Sequence, residues 1–457
     1  MEQLNADLRD TIAAISTPPG TGGIAVVRLS GPDAITVADA IWRGKPLGEA
    51  PSHTAHLGNI IDVNGQVLDQ CVATVFRAPR TFTGQDTVEF SVHGSQYIQH
   101  TLLGTLQARG ARMAGPGEFT RRAFANGRLD LARAEAVADV IAATSRAAHR
   151  LAMQQLRGGF SKRIDELRER LVRLAALLEL ELDFSEEDVT FADREQLASL
   201  TEEILGITRS LADSFRSGDA IKNGIPVAIV GAPNAGKSCL LNALLGSDRA
   251  IVSDIAGTTR DTIEDTAQIG GMTFRFIDTA GLRHTDDPIE RLGIDRTLST
   301  AARADIILLL VDPTTPAGAD DRSQQLIDLN PDATLITVTN KTDLRPDAAL
   351  TAPGPAISAK TGAGIAELRT LLADTARRRT GTAESENIIV TNARHHRALC
   401  QAAEALERTL DGLRQGQYTD LIAQDLRQAL HHLGTITGAI TTDTLLHSIF
   451  SHFCIGK

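Results

Sequence analysis

The amino-acid sequence predicts a multidomain protein that joins mixed α/β parts to an all-α part. Three observations predict it. A chain of 457 residues is too long for one ordinary core. The texture changes after about residue 125 from strand-like runs punctuated by Gly and Pro to apolar residues at helical spacing. Between two such helical blocks, residues 225–379 alternate strand and helix patterns, as a parallel sheet requires.

Taken in order, residues 1–125 read as mixed α/β. Gly23 to Leu29, Val72 to Phe76 and Thr87 to Val92 have strand patterns, and Gln99 to Arg109 reads as a helix. Pro18-Pro19-Gly20 and Gly115-Pro116-Gly117 mark turns, and no repeat is recognisable. Residues 126–220 read as helical. Ile164, Leu167, Leu171, Leu174 and Leu178 step by three and four, while Arg163, Asp165, Glu166, Arg168, Glu169 and Arg170 fill the other face. A second helix is expected from Asp193 to Phe215. Residues 221–380 carry strand candidates at Val227–Val230, Phe274–Ile277, Ile306–Val311 and Leu335–Val338. Residues 381–457 return to helix, with one stripe at Leu399, Ala402, Leu406, Leu410 and Leu413 and another over Leu421 to Leu433. Each helical block leaves an apolar face uncovered on its own. The two are therefore expected to form one domain into which the α/β stretch is inserted, with the ends of the insert close together.

Composition excludes several classes. The net charge of −11 argues against a generally basic nucleic-acid coat. Cys71, Cys239, Cys400 and Cys454 are far apart with no C-x-x-C pair, which argues against a zinc site or a disulfide framework and fits a reducing, cytoplasmic setting. No apolar run reaches the roughly 18 residues that span a membrane, and Glu2, Asp7 and Asp10 leave no basic n-region for a signal peptide.

The chemistry is most legible at Gly231-Ala-Pro-Asn-Ala-Gly-Lys-Ser238, which matches the phosphate loop G-x-x-x-x-G-K-[ST]. The apolar run from Pro226 to Val230 precedes it and a helical run, Cys239 to Leu245, follows. Backbone N–H groups and the helix N-terminus would receive an anion. Lys237 would reach the terminal phosphates and Ser238 would hold Mg²⁺. In Ile251 to Asp261, Thr259 can complete the Mg²⁺ shell. Asp278-Thr279-Ala280-Gly281 follows a strand, so that the Asp reaches the metal region and the Gly N–H approaches the γ-phosphate. In Asn340-Lys341-Thr342-Asp343 the carboxylate of Asp343 can accept the two N–H groups of a guanine edge, which adenine does not offer. Ser358-Ala359-Lys360 would close over the base. Together these elements resemble a translation-factor-type GTPase. The GTP-contacting set is Asn234, Ala235, Gly236, Lys237, Ser238, Cys239, Ser253, Asp254, Ile255, Ala256, Gly257, Thr258, Thr259, Asp278 to Gly281, Asn340 to Asp343 and Ser358 to Lys360.

Leu282 stands where Ras-like proteins place a water-orienting Gln, and Leu cannot do that work. Asn234 offers an amide oxygen for a monovalent cation beside the phosphates; its other reading is simple stabilisation of the loop.

Motifs outside this unit narrow the assignment. They are Ala14 to Gly20, Gly22 to Gly31, Phe82-Thr-Gly-Gln-Asp86, His93-Gly94, Pro116 to Phe124, Leu129 to Ala136, Leu182 to Glu187 and the tail Cys454-Ile-Gly-Lys457. Over essentially its whole length the chain resembles the bacterial tRNA modification GTPase family called MnmE or TrmE. The resemblance implies an N-terminal folate-binding-like α/β domain that drives homodimerisation (1–125), a helical domain in two parts (126–220 and 381–457) and a Ras-like P-loop G domain inserted in it (221–380). It implies K⁺ held by Asn234, Ser253, Ile255 and Thr258, Mg²⁺ held by Ser238 and Thr259, and a water-orienting role for Glu290, alongside Lys237 and Asn234 in catalysis. Read without the family, Glu290 is an exposed helix carboxylate.

The resemblance also implies a 5-formyl- or 5,10-methylene-tetrahydrofolate bound by Arg28, Glu89, Arg128 and Lys457. From the residues alone, Arg28 and Glu89 read as structural. Gln85 and Ser95 depart from the family pattern, where Glu and a second Gly are common. Cys454 has three readings: a poor prenylation box, a nucleophile served by His447 or His452, or part of a tail that docks by its backbone. The His395-His396 and His431-His432 pairs read as helix surface, and Arg377-Arg378-Arg379 as a solvated helix end or a tRNA contact.

The function implied is a K⁺-stimulated, dimerisation-dependent GTPase. With an FAD-containing flavoprotein of the MnmG (GidA) type, in a heterotetramer, it would add a (carboxymethyl)aminomethyl-type group to C5 of the wobble uridine of certain tRNAs. FAD would sit on the partner, because no G-x-G-x-x-G strand–helix unit occurs here. The rival is a ribosome-assembly or RNA-binding switch GTPase, which would need a basic RNA-binding module beside the G domain.

Overall fold

A computed structural model describes residues 9–183, 194–246, 265–277, 298–314, 319–347, 354–381 and 388–456. The chain divides into two compact units, Met1–Ala138 with Gln155–Glu169 and Leu430–Lys457, and Asp139–Gln154 with Arg170–Ala429.

The first unit carries a seven-stranded sheet. Its strands are β1 (Ile12–Ile15), β2 (Gly22–Ser30), β3 (Trp42–Arg43), β4 (Thr54–Ile61), β5 (Val67–Phe76), β6 (Thr87–Gly94) and β7 (Arg112–Met113), in the order β3-β4-β5-β6-β2-β1-β7. All pairs are antiparallel except β1 with β7. Alternation along the strands divides the sheet. Val27, Leu29, Val75, Val88 and Phe90 are buried in one core with Leu102 and Leu106. Leu57, Val72 and His93 are exposed, and Glu89 is half-buried. Helices α1 (Ala34–Ala40) and α2 (Gln96–Ala108) pack on the sheet, and α3 (Glu118–Ala125) follows Gly117, which enters the helix at φ 61°. The expected strands and the 99–109 helix are all present and slightly longer than their apolar cores. Strands β1 and β4 gave no comparable sequence signal.

Among the described residues five helices follow: α4 (Leu131–Ala142), α5 (Arg146–Leu156), α6 (Gly159–Asp183), α7 (Arg194–Asp213) and α8 (Phe215–Asn223). The stripe on α6 is buried from Ile164 to Leu178. The single helix expected over 193–215 breaks at Ser214, which separates α7 from α8. The Ser214 hydroxyl donates to the Leu211 carbonyl and accepts the N–H of Val390 at 3.0 Å, a side-chain competition with helical bonding.

The second unit holds β8 (Ile225–Gly231), α9 (Lys237–Leu245), β9 (Asp265–Ile269), β10 (Met272–Phe276), β11 (Ile306–Val311), α10 (Ala319–Leu329), β12 (Thr334–Thr339) and α11 (Ile365–Thr380). The sheet order is β12-β11-β8-β10-β9, parallel except for the β9–β10 hairpin. Both faces are covered, so the central strands read as continuous apolar runs. The hairpin turns on Gly270 and Gly271, both at positive φ, a two-residue signal that the sequence reading passed over.

Three helices close the chain: α12 (Ala393–Gln415), α13 (Thr419–Thr437) and α14 (Asp443–Phe450). Helix α12 packs along α7, with Arg414 and Glu202 paired at 2.9 Å at the rim. His395 corrects an expectation. It is 1% exposed in the core face of α12, because the stripe of Leu399 and Ala402 extends back one turn to it. His396 stacks on Phe215 with ring centroids 4.4 Å apart. The segments entering and leaving the α/β stretch meet: besides the Ser214–Val390 bond, a Cβ on Gly218 would overlap the Val390 carbonyl. Arg377 and Arg379 are tied within this unit, Arg379 to Asp305 at 3.1 Å and to the Asp332 carbonyl at 2.7 Å, and Arg377 to Asp374 at 2.8 Å. None of the described helices is long and apolar enough to cross a membrane.

Candidate functional site

Two groups of predicted residues can be followed, one in each unit. In the second unit, β8 delivers the phosphate loop and α9 begins at Lys237. Gly231 is required by close packing: a Cβ there would lie 2.8 Å from the Leu310 carbonyl of β11. Gly236 is required twice over, by its φ of 95° and because a Cβ would overlap the Asn340 amide. Asn234 sits at φ 61°, exposed at the loop crest. Lys237 Nζ donates to the carbonyls of Gly231 and Ala232, both at 2.9 Å, so the ammonium lies across the loop. Burial lowers the Lys237 pKa, and the positive charge of Arg322 adds to this. The opposite charge of an anion in the loop would counter both effects.

The Asn340–Asp343 turn follows β12 and is wired to the phosphate-loop motif. Asn340 is 2% exposed. Its Nδ2 donates to the Ala235 carbonyl at 2.8 Å, and its Oδ1 accepts the Ala359 N–H at 3.0 Å. Ser358 Oγ donates to Asp343 Oδ1 at 2.6 Å, which orients the carboxylate. Thr342 N–H donates to the Ile357 carbonyl at 3.2 Å. Lys341, at φ 61°, reaches Asp312 Oδ2 at 2.7 Å. Burial pushes the Asp312 carboxyl up, but hydrogen bonds from Lys341 and Thr314 outweigh it and hold the pKa below the usual carboxylate value. Sequence reading missed Asp312, although it directly follows the apolar strand β11, at the carboxyl edge of the sheet where ligands of such folds gather. The structure thus brings together Ala235, Asn340, Asp343, Ser358 and Ala359. Ser253 to Thr259, Asp278 to Gly281, Leu282 and Glu290 lie outside the described residues.

Among the described residues Ser238, half-buried in the first turn of α9, offers a hard oxygen of the kind Mg²⁺ takes, and the Asn234 side chain offers an amide oxygen of the kind expected for K⁺. Among the described residues no three His, Cys, Asp or Glu form a metal cluster.

In the first unit Arg28 and Glu89 face one another across the β2–β6 register, with Arg28 Nε donating to Glu89 Oε1 at 2.7 Å. Their side chains are 24% and 26% exposed, so a ligand can still reach both. The Arg28 guanidinium lies 5.6 Å from the Phe119 ring centroid. The C-terminal tail docks beside it by backbone contacts. The Gly456 carbonyl accepts from Ser16 Oγ at 3.1 Å and Arg28 Nη1 at 3.4 Å. The Cys454 carbonyl accepts from Gly117 N–H at 3.3 Å, and Ile455 bridges Pro116. Gly456 has φ 94°, and a Cβ would overlap the Ile15 carbonyl. Cys454 is exposed, and His452 Nδ1 bonds its own helix at the Ser448 carbonyl. Arg128 is exposed after α3 and packs its stem beside Gly84. Lys457 lies outside the described residues.

A buried ionic cluster supports this region. Arg122, 1% exposed, binds Asp10, Glu118 Oε1 at 3.0 Å and Gln85 Oε1 at 3.1 Å. Arg112 adds a two-bond contact to Glu118. Burial pushes the Glu118 carboxyl up, but Arg112, the Gly115 N–H and Arg122 together hold it below the usual range. With Asp10 and Glu118 already balancing the two guanidinium groups, a neutral Gln at 85 completes the coordination without a third charge.

The comparisons with known proteins cover nearly the whole chain. A model of the MnmE helical domain matches residues 131–454, and one of the GTP-binding protein TrmE N-terminus matches residues 11–128. Proteins named tRNA modification GTPase MnmE are 50% identical in Parabacteroides distasonis (98% of this chain, 100% of that protein), 49% in Porphyromonas gingivalis (100% of each) and 47% in Christiangramia forsetii (98% and 100%). The solved G domain of the T. maritima FeoB iron transporter is 26% identical and covers 33% of this chain and 98% of its own, at a TM-score of 0.25.

Proposed function

The chain belongs to the MnmE family of tRNA modification GTPases, and we propose that its GTPase is stimulated by K⁺ and serves modification of the wobble uridine at C5. It is a GTP hydrolase acting in tRNA modification. The observation that carries the nucleotide reading is the Asn340 side chain, which bonds the phosphate loop at Ala235 and the base-closing loop at Ala359. One residue thereby sets the distance between the triphosphate end and the base end of a bound nucleotide.

Within this reading Lys237 releases the Gly231 and Ala232 carbonyls and turns to the β- and γ-phosphates. Asp343, held by Ser358, selects guanine. Ser238 and Thr259 hold Mg²⁺. Asn234, Ser253, Ile255 and Thr258 hold K⁺, whose charge would serve where other GTPases use an arginine. Glu290 orients the attacking water, since Leu282 has no group to do so. Arg28, Glu89, Arg128 and Lys457 bind a 5-formyl- or 5,10-methylene-tetrahydrofolate, the source of the one-carbon unit; the paired, still accessible Arg28 and Glu89 suit the donor and acceptor edge of a pterin. We place the N-terminal folate-type domain at 1–125, the helical domain at 126–220 and 381–457, and the G domain at 221–380. The working assembly is a cytoplasmic homodimer joined by an FAD-bearing MnmG-type partner and tRNA.

Nucleoside analysis of tRNA from a strain lacking this protein tests the reading. Loss of the C5 side chain on wobble uridine is expected, restored by the wild-type chain but not by Asp343→Ala. Unchanged C5 modification in the deletion strain would overturn it in favour of a GTPase acting on some other RNA.

A further inference from the structure

The His93–Asp69 pair is used by none of the chemistry above. The β5–β6 ladder ends at Val72 and Ser91, and beyond it the Asp69 carboxylate takes over. Its Oδ2 accepts the His93 backbone N–H at 2.9 Å, and its Oδ1 accepts from His93 Nδ1 at 2.7 Å. The first bond completes the strand end. The second fixes the ring of an exposed residue with a carboxylate that is itself buried: the side chains are 71% and 7% exposed. Holding Nδ1 on a carboxylate leaves Nε2 as the outward atom.

The surroundings of the ring are open. Gly22 pairs with Gly94 so closely that a Cβ on Gly94 would overlap the Gly22 backbone, and β2 bulges between Gly22 and Ala25. Gly22 and Gly23 are exposed, so bare backbone borders the site. Strand alternation puts Glu89, Ser91 and His93 on one side of β6, with about 13 Å from Glu89 to His93 along the strand.

We propose that the Asp69–His93 pair is an anion subsite on the open face of the first sheet, which receives a carboxylate of the glutamyl tail of a reduced folate whose pterin lies at Arg28 and Glu89. The proposal rests on the folate reading given above. The titratable groups facing the ring are Asp69 from β5 and, further along its own strand, Glu89, which Arg28 neutralises. The Gly22–Ile24 stretch of β2 brings none. A carboxylate is held at Nε2 only when that atom donates, so tail binding takes up a proton and strengthens as pH falls.

Calorimetric titration of the full-length protein with 5-formyl-tetrahydrofolate, in buffers of different ionisation enthalpy, tests this. For the wild type, affinity should rise several-fold from about pH 8 to about pH 6, with proton uptake on binding. His93→Gln should weaken binding about tenfold at the lower pH and abolish the proton uptake, and Asp69→Asn should fall between. Tetrahydrobiopterin, which has no glutamyl tail, should bind wild type and His93→Gln alike. Unchanged GTPase rate and melting temperature establish that the variants are folded. If His93→Gln binds as the wild type at every pH while Glu89→Gln loses the ligand, the subsite is overturned and the folate reading stands. If Glu89→Gln and Arg28→Ala also bind normally, the folate reading itself falls, and the subsite with it.

Discussion

Asn340 Nδ2 lies 2.8 Å from the Ala235 carbonyl, across the gap between the Asn340–Asp343 turn and the phosphate-loop motif. The same side chain accepts the Ala359 N–H, so a single buried amide holds three loops. Asn340→Ala removes two buried hydrogen bonds at about 1 to 1.5 kcal/mol each, and the expected result is a ten- to hundredfold loss of GDP and GTP affinity. Fluorescent-nucleotide titration reads this directly, and an affinity within twofold of wild type would contradict the role.

Asp343 is proposed to set guanine specificity. Replacing its carboxylate by an amide in Asp343→Asn exchanges an acceptor for a donor, which suits xanthine and leaves a guanine N–H unpaired. GTP affinity should fall by about 10³ or more, with xanthosine triphosphate bound in its place. Competition binding with the two nucleotides decides the point.

The proposed monovalent-cation site is tested by rate. GTP hydrolysis in K⁺ should exceed that in Na⁺ by at least about tenfold, and Asn234→Ala should erase the difference with nucleotide affinity retained. Equal rates in the two salts would leave Asn234 as a loop-stabilising residue, the reading suggested by its exposed position at φ 61°.

The join at Gly218 is a stability prediction. Gly218→Ala drives a methyl into the Val390 carbonyl, with the Ser214–Val390 bond beside it. Strain of this kind costs about 1 to 3 kcal/mol, measurable by denaturant unfolding of the apo protein. A neutral effect would mean that the two segments separate readily.

Acid sensitivity follows from the Arg122 cluster. Glu118 and Asp10 both titrate below their ordinary values, although burial opposes this, because Arg112 and Arg122 bind the charged forms. A depressed carboxylate pKa gives stability that is full above the unfolded value and is lost as pH falls through the folded one. Stability should therefore decline below about pH 4.5. Glu118→Gln should lower stability at neutral pH and flatten that decline. Urea midpoints measured at several pH values give the comparison.

Much of the fold could be read in advance because it rests on local pattern. Ile306–Val311 stands as a strand with the ends its apolar run predicts, and the α6 stripe from Ile164 to Leu178 is buried throughout. Failures came where a distant partner decides. Ser214 breaks a continuous helical pattern because Val390 arrives from 176 residues away. His395 looked like surface beside His396, yet it belongs to the core face of α12. Asp312 carried no motif, and its ion-pair partner Lys341 arrives from the turn after β12.

By itself the sequence determined the order of the elements, the motifs from which a phosphate cradle and a guanine-reading turn are proposed, and the family to which the chain belongs. These depend on residue type at short spacing: glycines that let backbone approach an anion, and a carboxylate in a turn after a strand. Only the tertiary structure decided which of these residues touch. It set Asn340 against Ala235, closed Arg28 on Glu89 with the Gly456 carbonyl beside them, and gave His93 its buried carboxylate. Each contact joins positions at least 24 residues apart in the chain. Strand register and chain return create them, and no local spacing encodes those distances.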